Sequence, residues 1–474
     1  MEPDGTPTTR TAVPGWLAAE MATVPAQDRY PSVDEMIAQE ERIAAEHPDV
    51  VRRHRVGTSA HGEPITCLTI GDTRRHAVVI GLPHPNEPIG GSTTLHLARR
   101  LAADPELLER LGLTWHLVPC IDPDGLRLNE GWLSGPFTRE HYARHFYRQA
   151  GPEQIEWTFP VDHKDMYFDA VLPETLALMR LIDTYRPELL ASLHNAETGG
   201  AYYYLSRAEA ELHPVLQEVP ERVGVPLHRG EPEAPWIPEL ATGIYRSIDI
   251  RDAYDHLETV GEEQSVVGAG NSTGGHAAPH DTLTLVVELP CWRDPRAADT
   301  GPAGSGRPAA LAERAAGMTE LAEVLTGALD DIAGRTWVES PFLRASRFYA
   351  RLAADTAEAD RRRAEAGVAD PGGAPATVAE IASIEETLHM FRLRYGNLLL
   401  RALEAEIGIG NTTAAVRAAR DRVARHVDAW SADAAARAAT EPLPIGDLVT
   451  VQYTAVVAAA AHLSGTLDGA GGRG

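Results

Sequence analysis

The chain has 474 residues, enough for two or three domains and a large core. Apolar residues make up 43% and charged residues 23%, the balance of a globular protein rather than a disordered or fibrous one. Its 43 Lys and Arg against 68 Asp and Glu leave a formal net charge of -25, a field that repels phosphate backbones and argues against a nucleic-acid partner.

Three cysteines, Cys67, Cys120 and Cys291, sit in apolar, strand-like contexts without metal-knuckle spacing. An odd number and no framework predict reduced thiols in a reducing compartment. The opening MEPDGTPTTRTAVPGWLAAE has no basic region followed by an apolar run, and no segment approaches eighteen uninterrupted apolar residues. The expectation is a cytoplasmic protein with no membrane partner.

Residues 1–27, rich in Thr, Pro and Ala, read as an N-terminal arm. From Tyr30 the pattern sharpens: Ser32 can cap a helix that runs to about Glu46 and stops at His47-Pro48. VVRRHRVGTSAHGEPITCLTIGD reads as a hairpin. AVVIGLP, residues 77–83, is a buried strand that ends in the turn His84-Pro85-Asn86-Glu87-Pro88 and leads into a helix. LTWHLVPCID is another strand, closed by Pro123-Asp124-Gly125. The weakly periodic stretch from Leu126 to about Val171 is too long for an idle connection. A helix over 173–187 leads into the strand carrying ASLHN, and DTLTLVVELPCW, residues 281–292, is one more buried strand. Strands alternating with helices predict an α/β fold with both sheet faces covered.

Residues 294–308 are a Gly, Pro and Ala linker, and beyond about Thr336 only helical signals remain. They run to about Ala366, then from Val378 to Glu406, Thr412 to Arg437 and Ile445 to His462, with a break near 371–377. The expected organisation is an arm (1–27), a catalytic domain (28–335), an all-α helical domain (336–466) and a disordered tail (467–474). The sequence leaves open whether the helical domain covers a cleft, forms a homo-oligomer or docks a partner.

A catalytic zinc takes three protein ligands, commonly His nitrogen and carboxylate oxygen, and keeps one open position. His-x-x-Glu supplies two from one turn, but the chain holds three such pairs, His84/Glu87, His194/Glu197 and His228/Glu231, and spacing alone does not choose. Context favours His84/Glu87 and His194, because both leave apolar strands where α/β sheets place their ligand crevice. Glu288 ends a third apolar run, TLVVEL, and a carboxylate there is costly to bury unless paired or used. A carboxylate beyond the metal set is what metal-assisted hydrolysis needs as a proton acceptor. The bland alternative, scattered caps and satisfied core residues, stays open on these grounds alone.

The sequence also resembles the zinc carboxypeptidase family of the carboxypeptidase A type. The likeness runs through RYPSVDEMIAQEERIAAEHPDVVRRHRVGTSAHGEPITCLTIGD, GLPHPNEPIGG, VPCIDPDG (Asp122 where the family has Asn), PETLALMRLIDTYRPELLASLHN and LTLVVELP, roughly residues 28–295. It implies a mixed, mostly parallel sheet of the eight-stranded type flanked by helices. It also implies one Zn2+ per chain on His84, Glu87 and His194, with Glu288 as general base. The family's Asp-x-Asn-Arg-Asn-Phe, whose Asn-Arg pair holds the substrate's terminal carboxylate, is replaced by HYARHFYRQAGPEQIEWTFP. Arg148 and Arg127 are the candidates for that clamp or for oxyanion stabilisation. The family's capping Tyr has no counterpart in GAGNSTGGHAAPHD, which leaves His276 or His280, and Asn195 stands where Ser is frequent. The expected function is a carboxypeptidase-like exopeptidase acting on a peptide or small amide. The alternatives are an amidohydrolase of small N-acylated or amino-acid-conjugated metabolites and a non-catalytic binding module on the same fold.

Overall fold

The computed structural model describes residues 12–233, 236–247, 249–260, 270–367, 375–437 and 440–468. Most of the expected tail and part of the break near 371–377 lie outside the described residues. The arm contributes helix α1 (Gly15–Met21), and α2 (Val33–Glu46) begins with a full capping box between Ser32 and Glu35. The expected hairpin forms as strands β1 (Val51–Thr58) and β2 (Pro64–Ile70). Buried strand β3 (His76–Gly81) feeds α3 (Ile89–Ala103), and β4 (Thr114–Val118) follows. Helix α4 (Pro173–Tyr185) leads into β5 (Leu189–Ala196), followed by β6 (Tyr202–Leu205), β7 (Glu239–Ala241), β8 (Ile244–Arg246) and β9 (Leu283–Pro290).

These strands form one nine-stranded sheet in the order β1-β2-β4-β3-β5-β9-β6-β8-β7. The centre, β4-β3-β5-β9, is parallel, and β6 and β8 are also parallel; the remaining neighbours are antiparallel. The sheet is therefore more evenly mixed than expected and has nine strands rather than eight. Both faces of its centre are covered, as the uninterrupted apolar runs require. On β3, Val78 and Ile80 join a core with Leu178 and Ile182 of α4, while Ala77 and Val79 join the core that contains Leu97 and Leu101 of α3.

Four long helices, α5 (Arg307–Asp331), α6 (Pro341–Glu365), α7 (Val378–Gly408) and α8 (Ala414–Arg437), pack on one another as a bundle. The boundary expected at 335 falls between its first two helices. The last helix, α9 (Ile445–Leu463), leaves the bundle and packs on α3 and on the sheet strands β5 and β9. It is apolar on all sides and nearly every residue is buried, so it can only lie inside. Its one long polar core side chain is satisfied: Gln452 donates from Nε2 to His194 O (2.8 Å) and Val287 O (3.3 Å), and accepts from Thr93 Oγ1 (2.9 Å). The bundle is thus an insertion between the sheet's ninth strand and a helix that covers the sheet. Its entry and exit are joined by a two-residue antiparallel ladder, Trp292 opposite Pro442 and Arg293 opposite Glu441. No described helix is long and apolar enough to cross a membrane.

Candidate active site

The turn that carries His84 and Glu87 is set by how closely α3 approaches β3. A Cβ on Gly81 would lie 2.4 Å from Pro119 O and 2.8 Å from Gly90, so no other residue fits there. Leu82 then takes a positive φ of 54°, an uncommon value for a branched side chain, and reverses the chain into His84. The turn closes with Glu87 N donating to His84 O at 3.1 Å. On the neighbouring strand Leu193 pairs with Gly81, which brings His194 beside the turn, and across the next ladder His194 pairs in register with Glu288. Three segments distant in sequence thereby meet at one sheet edge.

His84 Nδ1 lies 3.1 Å and His194 Nδ1 3.0 Å from Glu87 Oε2, and donor atoms of the three residues all lie within 4.8 Å of one another. Donors about 2.0–2.2 Å from a common tetrahedral zinc are separated by about 3.3–3.5 Å, so the set fits such an ion with little adjustment. All three side chains are buried. His194 Nε2 lies 2.9 Å from Ser192 Oγ, which donates on to Glu156 Oε2 at 3.3 Å, an outer pair that leaves Nδ1 facing the other donors. His84 Nε2 is enclosed without a hydrogen-bond partner, so Nδ1 is the nitrogen that engages its surroundings. Burial would make His194 less basic, but Glu288 and Glu87 outweigh it and hold its pKa up at about 9, whereas burial and Arg148 push His84 down to about 3. Burial, reinforced by Glu87 and Glu233 against the pull of His194 and Arg148, pushes Glu288 up to about 8. The cluster therefore retains protons on His194 and Glu288 near neutral pH, where a bound dication would favour the ionised carboxylates instead.

These groups open into a cavity of about 780 Å3. Arg148 lines it, with Nη1 donating to Glu87 Oε1 at 3.0 Å. Asn195 also lines it, yet its side chain ties strands together, accepting from Ile89 N and donating to Leu289 O, both at 3.3 Å. Arg127 is elsewhere: its guanidinium is taken by Asp34 (2.7 Å), Glu63 (2.9 Å) and Glu130 (3.5 Å), which corrects its assignment to substrate binding. His276 is also corrected, since its ring bonds Asp183 at 3.0 Å and packs on Phe159 rather than lining the cavity; His280 leans towards the same Asp183.

The far wall comes from the bundle, including Phe348, Tyr349, Phe391, Arg394 and Tyr395. Tyr349 and Tyr395 stack with centroids 3.8 Å apart, and Tyr349 OH donates to Gln149 O at 2.8 Å. Glu197 joins the walls, accepting from Arg139 Nε at 3.1 Å and from Arg394 Nε at 2.8 Å. None of these residues was singled out by motif except Glu197, which belonged to a rejected His-x-x-Glu pair. The usable signal for Arg394 was a charge within the apolar run FRLRYGNLLL, which a buried helix carries only with a partner. His228, from the third pair, lines the cavity but lies 2.9 Å from Glu231 O and takes no part in the His84 group.

A family model described as Zinc carboxypeptidase matches residues 36–229. Over that span, which contains His84, Glu87 and His194, the chain is similar to the zinc carboxypeptidase family, whose members use zinc. Mouse carboxypeptidase M is 26% identical over 214 residues, covering 41% of this chain and 45% of that protein. Duck carboxypeptidase D is 27% identical over 194 residues, covering 38% of this chain and 13% of that protein. The chain thus spans less than half the length of these relatives. Carboxypeptidase A from Helicoverpa armigera is 16% identical, over 74% of this chain and 79% of that one, with a TM-score of 0.37. Glu288 and the bundle fall outside the matched span.

Proposed function

We propose that the chain is a zinc-dependent hydrolase that cleaves the terminal peptide bond of a short peptide, as a carboxypeptidase-like exopeptidase. The observation that carries this reading is the convergence of three ligand atoms beside Glu288 in one cavity. His84, Glu87 and His194 would hold the ion. When bound, zinc supplies Lewis acidity towards a carbonyl and lowers the pKa of an attacking water. Glu288, 3.6 Å from His194 Nδ1, accepts the proton of that water and returns it to the leaving nitrogen. Arg148, which lines the cavity and is held by Glu87 and by a long contact to Gln154 (3.5 Å), stabilises the developing oxyanion.

The helical roof favours a second reading on the same chemistry. A volume of about 780 Å3 suits a small amide or a dipeptide better than the tail of a folded protein, so an amidohydrolase of N-acylated or conjugated amino acids is the alternative. The three unpaired thiols accord with a cytoplasmic location, which we include in the proposal. The test is a panel of dipeptides, N-acyl amino acids and intact proteins, assayed alongside zinc content. Turnover of the small substrates at about one zinc per chain is expected. A folded chain that binds no zinc would overturn both readings.

A further inference from the structure

Arg394 lies on α7, well outside the matched span, yet it lines the same cavity as the His84 group. It is only 5% exposed. Its guanidinium is fixed from two sides: Nε donates to Glu197 Oε2 at 2.8 Å, and the group lies 5.2 Å and 5.6 Å over the rings of Phe146 and Tyr142. Neither Nη group has a hydrogen-bond partner among the described residues, neither is fully buried, and the side chain lines the cavity. Glu197 holds it by Nε alone and shares its other oxygen with Arg139, which is also paired with Glu386 at 2.8 Å. A desolvated, rigid guanidinium with two free donors is a fork for a planar anion, and burial of such a group without a second acceptor is costly unless a ligand supplies one. Arg148 adds a second positive charge on the same cavity, but its Nη1 already donates to Glu87 and its Nη2 to Gln154 (3.5 Å).

We propose that Arg394 binds a carboxylate on the substrate, so that a bundle helix sets the specificity of the active site for amides that carry a free carboxylate. This rests on the cavity being the active site, and it places the specificity-determining group on an inserted bundle rather than on the family's own domain. A purely structural Arg394, cementing bundle to sheet through Glu197, would give no preference between charged and uncharged ligands.

The test is calorimetric binding of N-acetyl-phenylalanine and of its carboxamide to the full chain, both zinc-loaded and after chelation. The wild-type chain should prefer the carboxylate by about tenfold or more in both states. Arg394→Gln should reduce that preference at least fivefold in both states, with carboxamide affinity unchanged within twofold. Arg394→Lys, which keeps the charge and the Glu197 pair, should fall between them and carries the test if the glutamine variant does not fold. The proposal is overturned if the variants retain the full preference in both states, or if Arg148→Gln alone removes it. Because binding is read without turnover, a chain that shows the preference but hydrolyses nothing would refute the hydrolase reading and leave this one standing.

Discussion

The sheet side of the cavity holds His84, Glu87, His194 and Glu288 on one turn and two adjacent strand ends, whereas the helical side reaches the same space with Tyr349, Phe391 and Arg394 from two long helices. On the sheet side, ladder hydrogen bonds fix side-chain positions, since register decides which residues face one another. On the bundle side, placement depends on ion pairs and ring stacking between elements far apart in sequence, such as Arg394 with Glu197. The first wall suits chemistry that must not vary. The second can be exchanged without disturbing the sheet, which is where specificity is more readily changed.

The largest expected effect falls on the sheet side. His84→Ala should lower zinc content from about one per chain to below about a tenth, read by elemental analysis, because two donors do not make a closed site. Glu288→Gln should separate binding from chemistry: zinc is kept while kcat falls by about 10^2–10^4. Unchanged turnover would remove Glu288 from its role as base. The joint between the walls comes next. Glu197→Ala leaves the buried Arg394 without its carboxylate partner, while Arg139 keeps Glu386, and should cost about 3–5 kcal/mol in denaturant unfolding; a loss under about 1 kcal/mol would mean that the walls hold together without it.

A pH-dependent effect is expected beneath the site. Burial pushes Asp122 up to about 7 from an ordinary value of 3.8, and Gly125 N and Gln149 Nε2 donate to it without fully offsetting that. The folded chain therefore keeps a proton that the unfolded chain releases, and stability contributed by this group falls as pH rises from about 4 to about 7. Asp122→Asn should be close to wild type near pH 4 and more stable by on the order of 1–3 kcal/mol at pH 8. Equal stability at both pH values would show that the carboxylate is ionised and well solvated when folded. The smallest effect belongs to Arg127, whose partners are partly exposed. Arg127→Met should cost no more than about 1 kcal/mol and leave kcat/KM within about twofold.

The metal side was legible because strand ends mark the carboxyl edge of a parallel sheet, and an apolar run that ends in His or Glu declares itself. Helix bounds were legible for similar local reasons, with Thr377 and Glu380 closing a capping box at the start of α7. Arg127 and His276 were misplaced because a single helical turn decides which way a side chain points. Asp122-Pro123 starts a short helix that aims Arg127 at Asp34 and Glu63, and Ser272 caps one that aims His276 at Asp183. Glu197 and Arg394 are 197 residues apart, and pairing over that distance leaves no local trace. Nor does an evenly apolar helix such as α9 say which core it enters.

The short ladder between Trp292–Arg293 and Glu441–Pro442 has a kinetic side. Gln452 must find Val287 across 165 residues, a closure that costs an open chain about 4–5 kcal/mol of entropy on a logarithmic scaling. A bundle that folds first and brings its own ends together reduces that search to a few residues on either side. The insertion then acts as an internal folding clamp: β9 gains its last cover quickly only after the bundle has formed, so a bundle slow to fold would delay the whole chain.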